Sequence, residues 1–191
     1  MSVQLVFRYA TMNAGKSMEI IRVAYNYRER GKKVMLFTTA VDDRYGRGKI
    51  SSRIGLSVDA NIIDESVYNK IKEELPDVVI ADESQFFSEF IINELARVVD
   101  ELHIPVLCYG LRTDFQGKLF EGSKRLFELA DKIEEIKTMC WFSDKKATMN
   151  MRVYNGQPIF EGKQIQIGGN ESYFPVCRKI YMRFKNKKIR L

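Results

Sequence analysis

Cysteine is scarce in this 191-residue sequence: Cys108, Cys140 and Cys177 are too few and too scattered for a disulfide framework. Long apolar runs are missing too, and none approaches the length of a membrane span. The opening residues, MSVQLVFRYA, lack the charged n-region, extended apolar region and cleavage site of a secretory leader. The expectation is therefore a cytoplasmic protein. The single histidine, His103, falls where a helix should end, a position where histidine is usually structural, so no chemistry is assigned to it. Internal repeats and low-complexity segments are absent.

What is present is ordinary globular composition. The 45% hydrophobic and 29% charged residues argue against disorder. The length suits one domain, or one domain with a small appendage. The net charge of +6 is concentrated in RKIYMRFKNKKIRL, from Arg178 onward, which contains no acid. A solvated end is the plain reading, and contact with nucleic-acid phosphates is the alternative.

The most informative stretch is VQLVFRYATMNAGKS, residues 3–17. Val3, Leu5, Phe7 and Tyr9 alternate like a buried strand, and Ala10 to Ser17 approximate the phosphate-binding pattern G-x-x-x-x-G-K-[ST]. Such a loop turns backbone N–H groups inward at a helix start, where the dipole favours anions. Lys16 can reach terminal phosphates, and the Ser17 hydroxyl can ligate Mg²⁺. Ala10 replaces the first glycine, which requires φ < 0 there.

A helix should follow to Arg30, with Ile20, Val23, Ala24 and Tyr27 on its apolar stripe and Gly31 as its stop. KKVMLFTT (32–39) reads as the next buried strand, completing the context that a phosphate loop requires. Residues 40–60 read as a polar loop carrying Arg44, Arg47 and Arg53 as candidates for phosphate contact. In DVVIADESQFF, Val78 to Ala81 form a short strand that delivers Asp82 and Glu83 at its C-terminal end. An acid pair there resembles a Walker B site, with Asp82 at Mg²⁺ and Glu83 placed for base chemistry.

Ser88 is positioned to cap a helix with Ile91, Leu95, Val98 and Leu102 on its buried stripe. PVLCYGL (105–111) is a further buried strand, in which Cys108 reads as a small core hydrophobe. The following loop, 112–122, lies where ligands bind open α/β sheets, and its Phe115 and Phe120 suit either a base or the core. A short helix and a strand over IEEIKTMC come next. From Cys140 the pattern changes to a β-hairpin turning at Asn155-Gly156, with Gly168-Gly169 and Tyr173 beyond it.

Taken together, TMNAGKS, the DDRYG loop, DESQFF, YGLRTDFQGKLFEGSKRLFELADKIEEIKTMC, KATMNMR and QIQIGGNESYFPVCRK resemble the type II thymidine kinases, the cytosolic and bacterial family. These blocks span almost the whole chain in family order. The resemblance implies an α/β fold: a P-loop, RecA-like core with a mostly parallel sheet over residues 1–138. A small lasso domain, a degenerate zinc ribbon with the basic tail, would occupy 139–191. The implied reaction transfers the ATP γ-phosphoryl group to the 5′-hydroxyl of thymidine or deoxyuridine, in nucleotide salvage for DNA synthesis.

The implied ATP site is Ala10, Thr11, Met12, Asn13, Ala14, Gly15, Lys16, Ser17, Asp82 and Gln85, with Mg²⁺ held by Ser17 and Asp82. Glu83 matches the family's general base and Arg44 an arginine that neutralises charge on the transferring group. Asp42 or Asp43 would hold the sugar hydroxyl. Met12, Phe86 and Phe115 would surround the thymine ring, and the lasso around Gln166, Gly168, Gly169, Asn170 and Tyr173 would close over it. The family's two Cys-x-x-Cys pairs survive only as Cys140 with Ser143 and Cys177 with Ile180, so no structural zinc is expected. Packing by Trp141, Phe142 and Ile180 would replace it. A homotetramer and inhibition by thymidine triphosphate are implied as well, with no membrane or nucleic-acid partner. The competing reading is a RecA-like ATPase that binds nucleic acid through the tail and loop aromatics.

Overall fold

A computed structural model describes residues 3–40, 47–164 and 171–187. In chain order the first half runs β1 (Leu5–Ala10), α1 (Lys16–Arg28), β2 (Val34–Thr38), β3 (Lys49–Ser51), β4 (Ser57–Asp59), β5 (Asn61–Ile62), α2 (Val67–Glu74) and β6 (Val78–Ala81). A 3₁₀ turn at Ser84–Phe86 follows, then α3 (Glu89–Leu102), β7 (Val106–Leu111), α4 (Glu121–Leu129) and β8 (Lys132–Ile136). The remainder is β9 (Met149–Tyr154), β10 (Gln157–Ile159), β11 (Glu171–Val176) and α5 (Arg178–Lys187).

Six strands form one sheet in the order β5-β2-β6-β7-β1-β8, every pairing parallel. One strand, β7, separates the strand that feeds the phosphate loop from the strand that delivers the acid pair. Helices on both faces bury these strands on both sides, which is why they read as apolar runs. Leu5 and Phe7 of β1, Val79 and Ala81 of β6, and Val106 and Cys108 of β7 face the layer of α2, α3 and α4. Their neighbours Val6, Val78, Ile80, Leu107 and Tyr109 pack with Ile20 and Ala24 of α1 on the other face. Cys108 is a core residue, as read from the sequence, and burial pushes its thiol up to about 12.

Several sequence expectations are corrected. Val3 precedes the strand and is 42% exposed, so the alternation begins only at Leu5. The stripe of α3 is turned by one residue: Ile92, Leu95, Val98 and Val99 are buried, while Ile91 and Leu102 flank them half-buried. The helix lies between α2 and α4, and that groove selects a wider face than a single i, i+4 row. Ser88 caps it as expected, its hydroxyl accepting from the Ile91 N–H.

Residues 47–60 are not a loop but the antiparallel pair β3–β4, with Ile50 buried against the α1 face. The basic tail is not simply a solvated end. Residues 178–187 form α5, and Tyr181 is buried while its hydroxyl donates to the Phe115 carbonyl at 2.7 Å. Residues 188–191 lie outside the described residues. Both loop aromatics are buried: Phe115 lies beneath the Arg152 guanidinium, and Phe120 meets Phe86 edge-on.

The antiparallel sheet β10-β9-β11 has its own apolar cluster of Cys140, Met151, Val153, Val176, Cys177 and Tyr181. Asn155 and Gly156 both adopt positive φ in its hairpin, as the Asn-Gly pair indicated. Trp141 packs edge-on against Phe174 at 4.8 Å, Phe142 against Phe174 and Phe184, and Ile180 joins the cluster. Where the family would place four thiolates, the Ser143 hydroxyl lies 3.6 Å from the Cys177 sulfur. Burial opposes ionisation of Cys140, but hydrogen bonds from Ser143, Cys177 and Phe142 outweigh it and hold the thiol below its usual range. Among the described residues, no helix is long and apolar enough to cross a membrane.

Candidate functional site

The site forms where β1, β6 and β7 end. Ala10 completes β1, paired with Leu111 and Ile136, and keeps the extended backbone its Cβ requires. The reversal of the loop falls later, at Asn13 (φ 63°) and Gly15 (φ 84°). A left-handed residue immediately before α1 opens the helix N-terminus toward an anion, and glycine adopts it without penalty. Lys16 and Ser17 then occupy the first two positions of α1.

Four side chains that are distant in sequence converge here. The Lys16 Nζ lies 3.3 Å from the Glu83 Oε1, and the Ser17 hydroxyl donates to the Asp82 Oδ2 at 3.4 Å. Asp82 is 3% exposed, and its Oδ1 accepts from the Glu83 N–H at 2.8 Å. Burial and the neighbouring Glu83 carboxylate push the Asp82 carboxyl up to about 7, against the opposing pull of Lys16, the Glu83 N–H and Ser17. Such a carboxylate, beside a hydroxyl and able to shed its proton, suits a divalent hard cation.

Glu83 has φ 54°, a costly conformation for a residue with a side chain. The turn that holds it is pinned from below. Ser84 donates to the Tyr109 carbonyl at 2.8 Å, and Gln85 accepts from the Leu111 N–H at 3.0 Å while donating to Glu83. Gln85 is buried, so its amide connects the end of β7 to the Glu83 carboxylate.

Two glycines make room for this turn. A Cβ at Gly110 would meet Ser84 Oγ at 2.8 Å and Gln85 Oε1 at 2.9 Å. A Cβ at Gly122 would collide with the Ser84 carbonyl and meet that of Phe87 at 2.8 Å. Gly122→Ala must therefore displace backbone, and a loss of about 1–3 kcal/mol is expected. Thermal unfolding checks this: a domain of this size should melt about 2–4 °C lower for each kcal/mol lost. An unchanged melting temperature would mean that α4 does not clamp the turn.

Of the expected acceptor-side residues, Met12 and Phe86 are half-buried at the rim, and Phe115 is buried beneath Arg152. The carbonyl of Tyr173 accepts from the Asn13 side chain at 3.2 Å, bringing β11 to the phosphate loop. Asp42, Asp43, Arg44, Gln166, Gly168, Gly169 and Asn170 lie outside the described residues. Sequence reasoning missed Asn150, whose Oδ1 accepts from the Met12 N–H at 2.8 Å. The available signal was Asn150 and Arg152 at alternate positions of a strand, giving it a polar face that nonetheless is buried. It also missed Asp114, whose Oδ1 accepts from the Gln116 and Lys118 N–H groups while its Oδ2 accepts from Gln164.

Comparison with known proteins identifies the family. The family model described as thymidine kinase matches residues 3–181. A thymidine kinase of Lactococcus lactis is 53% identical over 184 residues, covering 94% of this chain and 97% of the relative. One from Streptococcus pyogenes serotype M3 is 55% identical over 182 residues, covering 93% and 96%. One from Lactiplantibacillus plantarum is 52% identical over 182 residues, covering 93% and 95%. On a match that runs almost end to end, the chain belongs to the thymidine kinase family.

Proposed function

We propose that the chain transfers the γ-phosphoryl group of ATP to the 5′-hydroxyl of thymidine or deoxyuridine, in nucleotide salvage for DNA synthesis. The observation that carries this reading is the convergence of Lys16, Ser17, Asp82 and Glu83 at the mouth of a phosphate loop. Amides of the loop and Lys16 receive the donor phosphates. Ser17 and Asp82 offer two hard oxygen donors suited to Mg²⁺, which when bound neutralises phosphate charge. Glu83 accepts the proton of the attacking hydroxyl, since an alcohol is a poor nucleophile until a base takes it. Gln85 fixes the direction of that carboxylate, because its amide bridges Glu83 and the Leu111 N–H.

Met12, Phe86, Phe115 and Tyr173 belong to the acceptor side in this reading. Arg44 would neutralise the transferring group and Asp42 would hold the sugar. Gln166, Gly168, Gly169 and Asn170 would contact the base, a role supported by their family-matching sequence. The same resemblance supports a division into 1–138 and 139–191, a homotetramer, cytoplasmic location and inhibition by thymidine triphosphate. Ser143 and Ile180 leave too few soft ligands for zinc, and elemental analysis finding about one zinc per chain would overturn that part.

The test is a panel of nucleosides with γ-labelled ATP. Label should reach thymidine and deoxyuridine and no purine nucleoside, because unmade hydrogen bonds to a wrong base cost about 1–3 kcal/mol each. Absence of label on every pyrimidine deoxynucleoside overturns the proposal. ATP hydrolysis stimulated by oligonucleotides alone would point instead to a nucleic-acid-dependent ATPase.

A further inference from the structure

Asn150 occupies a position that none of the chemistry above uses. It is 2% exposed on β9, beside Pro175 of β11, and both ends of its amide are committed. Its Oδ1 accepts from the Met12 N–H at 2.8 Å, and its Nδ2 donates to the Thr113 carbonyl at 2.9 Å. Met12 is part of the phosphate loop, whereas Thr113 begins the segment that carries Asp114 and Phe115. One amide thus ties the donor loop to an acceptor-side loop, and both to the small sheet. A second bond runs parallel to it: Asn13, the next residue of the phosphate loop, donates to the Tyr173 carbonyl on β11 at 3.2 Å.

The chemistry of the position is specific. An aspartate could accept from Met12 but could not donate to Thr113, and it would bury a charge. An apolar side chain would leave both backbone groups without a partner. By holding the Met12 N–H, Asn150 also sets the path of the loop before its reversal at Asn13. The loop therefore cannot adopt its phosphate-binding form independently of the Thr113 segment and the small sheet.

We infer that Asn150 is a positioning residue that makes the affinity for ATP depend on nucleoside occupancy. A nucleoside held among Met12, Phe86 and Phe115 orders the two segments that Asn150 joins, so less freedom remains to be lost when the donor phosphates bind. The coupling is reciprocal by thermodynamic necessity. This inference rests on the acceptor-side assignment made under the proposed function.

Calorimetry on the full chain tests it, with a non-hydrolysable ATP analogue and Mg²⁺ titrated in the presence and absence of saturating thymidine. In the wild type, thymidine should tighten the analogue by at least about 5-fold, the low end of ordinary coupling. In Asn150→Ala the ratio should fall to about 2 or less, and in kinetics KM for ATP should rise more than kcat falls. Asn13→Gly keeps the positive φ but loses the bond to Tyr173, so its ratio should lie between the two. Phe142→Leu loosens the small unit away from both segments, at its packing on Phe174 and Phe184, and should keep the wild-type ratio.

A wild-type ratio near 1, an unchanged ratio in Asn150→Ala, or an equal loss in Phe142→Leu would each overturn the inference. Should Asn150→Ala fail to fold, Asn13→Gly against Phe142→Leu decides it by the same ratios. Failure of the proposed function reads differently, because thymidine would then be neither bound nor phosphorylated by the wild type.

Discussion

Glu83→Gln should lower kcat for thymidine phosphorylation by about 10²–10⁴-fold, the range usually lost with a positioned general base. The substitution is nearly isosteric, and the turn that carries it is held by groups that remain: Ser84 on the Tyr109 carbonyl and Gln85 on the Leu111 N–H. The backbone at φ 54° is no more strained for glutamine than for glutamate. The amide oxygen can still accept from Gln85, so the fold and the melting temperature should be preserved. What disappears is the capacity to take a proton, together with the ion pair to Lys16 at 3.3 Å. Glu83 then no longer competes with phosphate for the Lys16 ammonium, so KM for ATP should hold or fall while kcat collapses. Steady-state kinetics with thymidine and ATP measure this directly. A loss of less than about 10-fold would remove Glu83 from the role of base, since base catalysis of even modest efficiency exceeds it.

The donor half of this site was legible in the chain because its parts are local. A phosphate loop is eight consecutive residues, and the acid pair follows a four-residue apolar strand, Val78–Ala81, that was read to its exact ends. Buried parallel strands give unbroken apolar runs, so β2, β6 and β7 were also readable. The acceptor half was harder, because its supports are tertiary. Asn150 and Met12 are 138 positions apart, and nothing in either neighbourhood announces the other.

The remaining misses have similar causes. The pair β3–β4 is short and presents a single buried apolar anchor, Ile50, too little for periodicity to register. In α5 the charges of the tail masked an apolar row at Ile180, Tyr181 and Phe184, although that spacing fits one helical face. Gly110 and Gly122 gave no local sign of their role, because what a Cβ would strike there belongs to another segment. The packing of Trp141, Phe142 and Ile180 within the small unit could be anticipated as a type of solution. Its centre, the ring of Phe174, could not.

Asp82→Asn should abolish Mg²⁺-dependent turnover and at the same time stabilise the empty protein. The first effect follows from losing the carboxylate that accepts from Ser17, and a few kcal/mol of transition-state stabilisation corresponds to at least about 10²–10³-fold in rate. The second follows from burial. In the folded chain the Asp82 carboxyl is pushed from 3.8 up to about 7, by desolvation first and by Glu83 second. Below the unfolded value both states hold the proton, and Asp82 contributes no pH dependence. Between the two values the unfolded chain releases its proton while the folded chain keeps it, so wild-type stability declines as pH rises toward 7. Asparagine does not titrate, and its Oδ1 can still accept from the Glu83 N–H. The variant's advantage in melting temperature should therefore be negligible near pH 4, grow through neutrality and level off above pH 7. At about 2–4 °C for each kcal/mol, the plateau lies within reach of a thermal scan. Mg²⁺ and ATP should reverse the order, raising the wild-type melting temperature and leaving that of the variant nearly unmoved. An advantage that does not vary with pH, or a variant less stable at pH 8, would mean that the buried carboxylate is accommodated without penalty. The cation site would then not be held in readiness at the expense of stability.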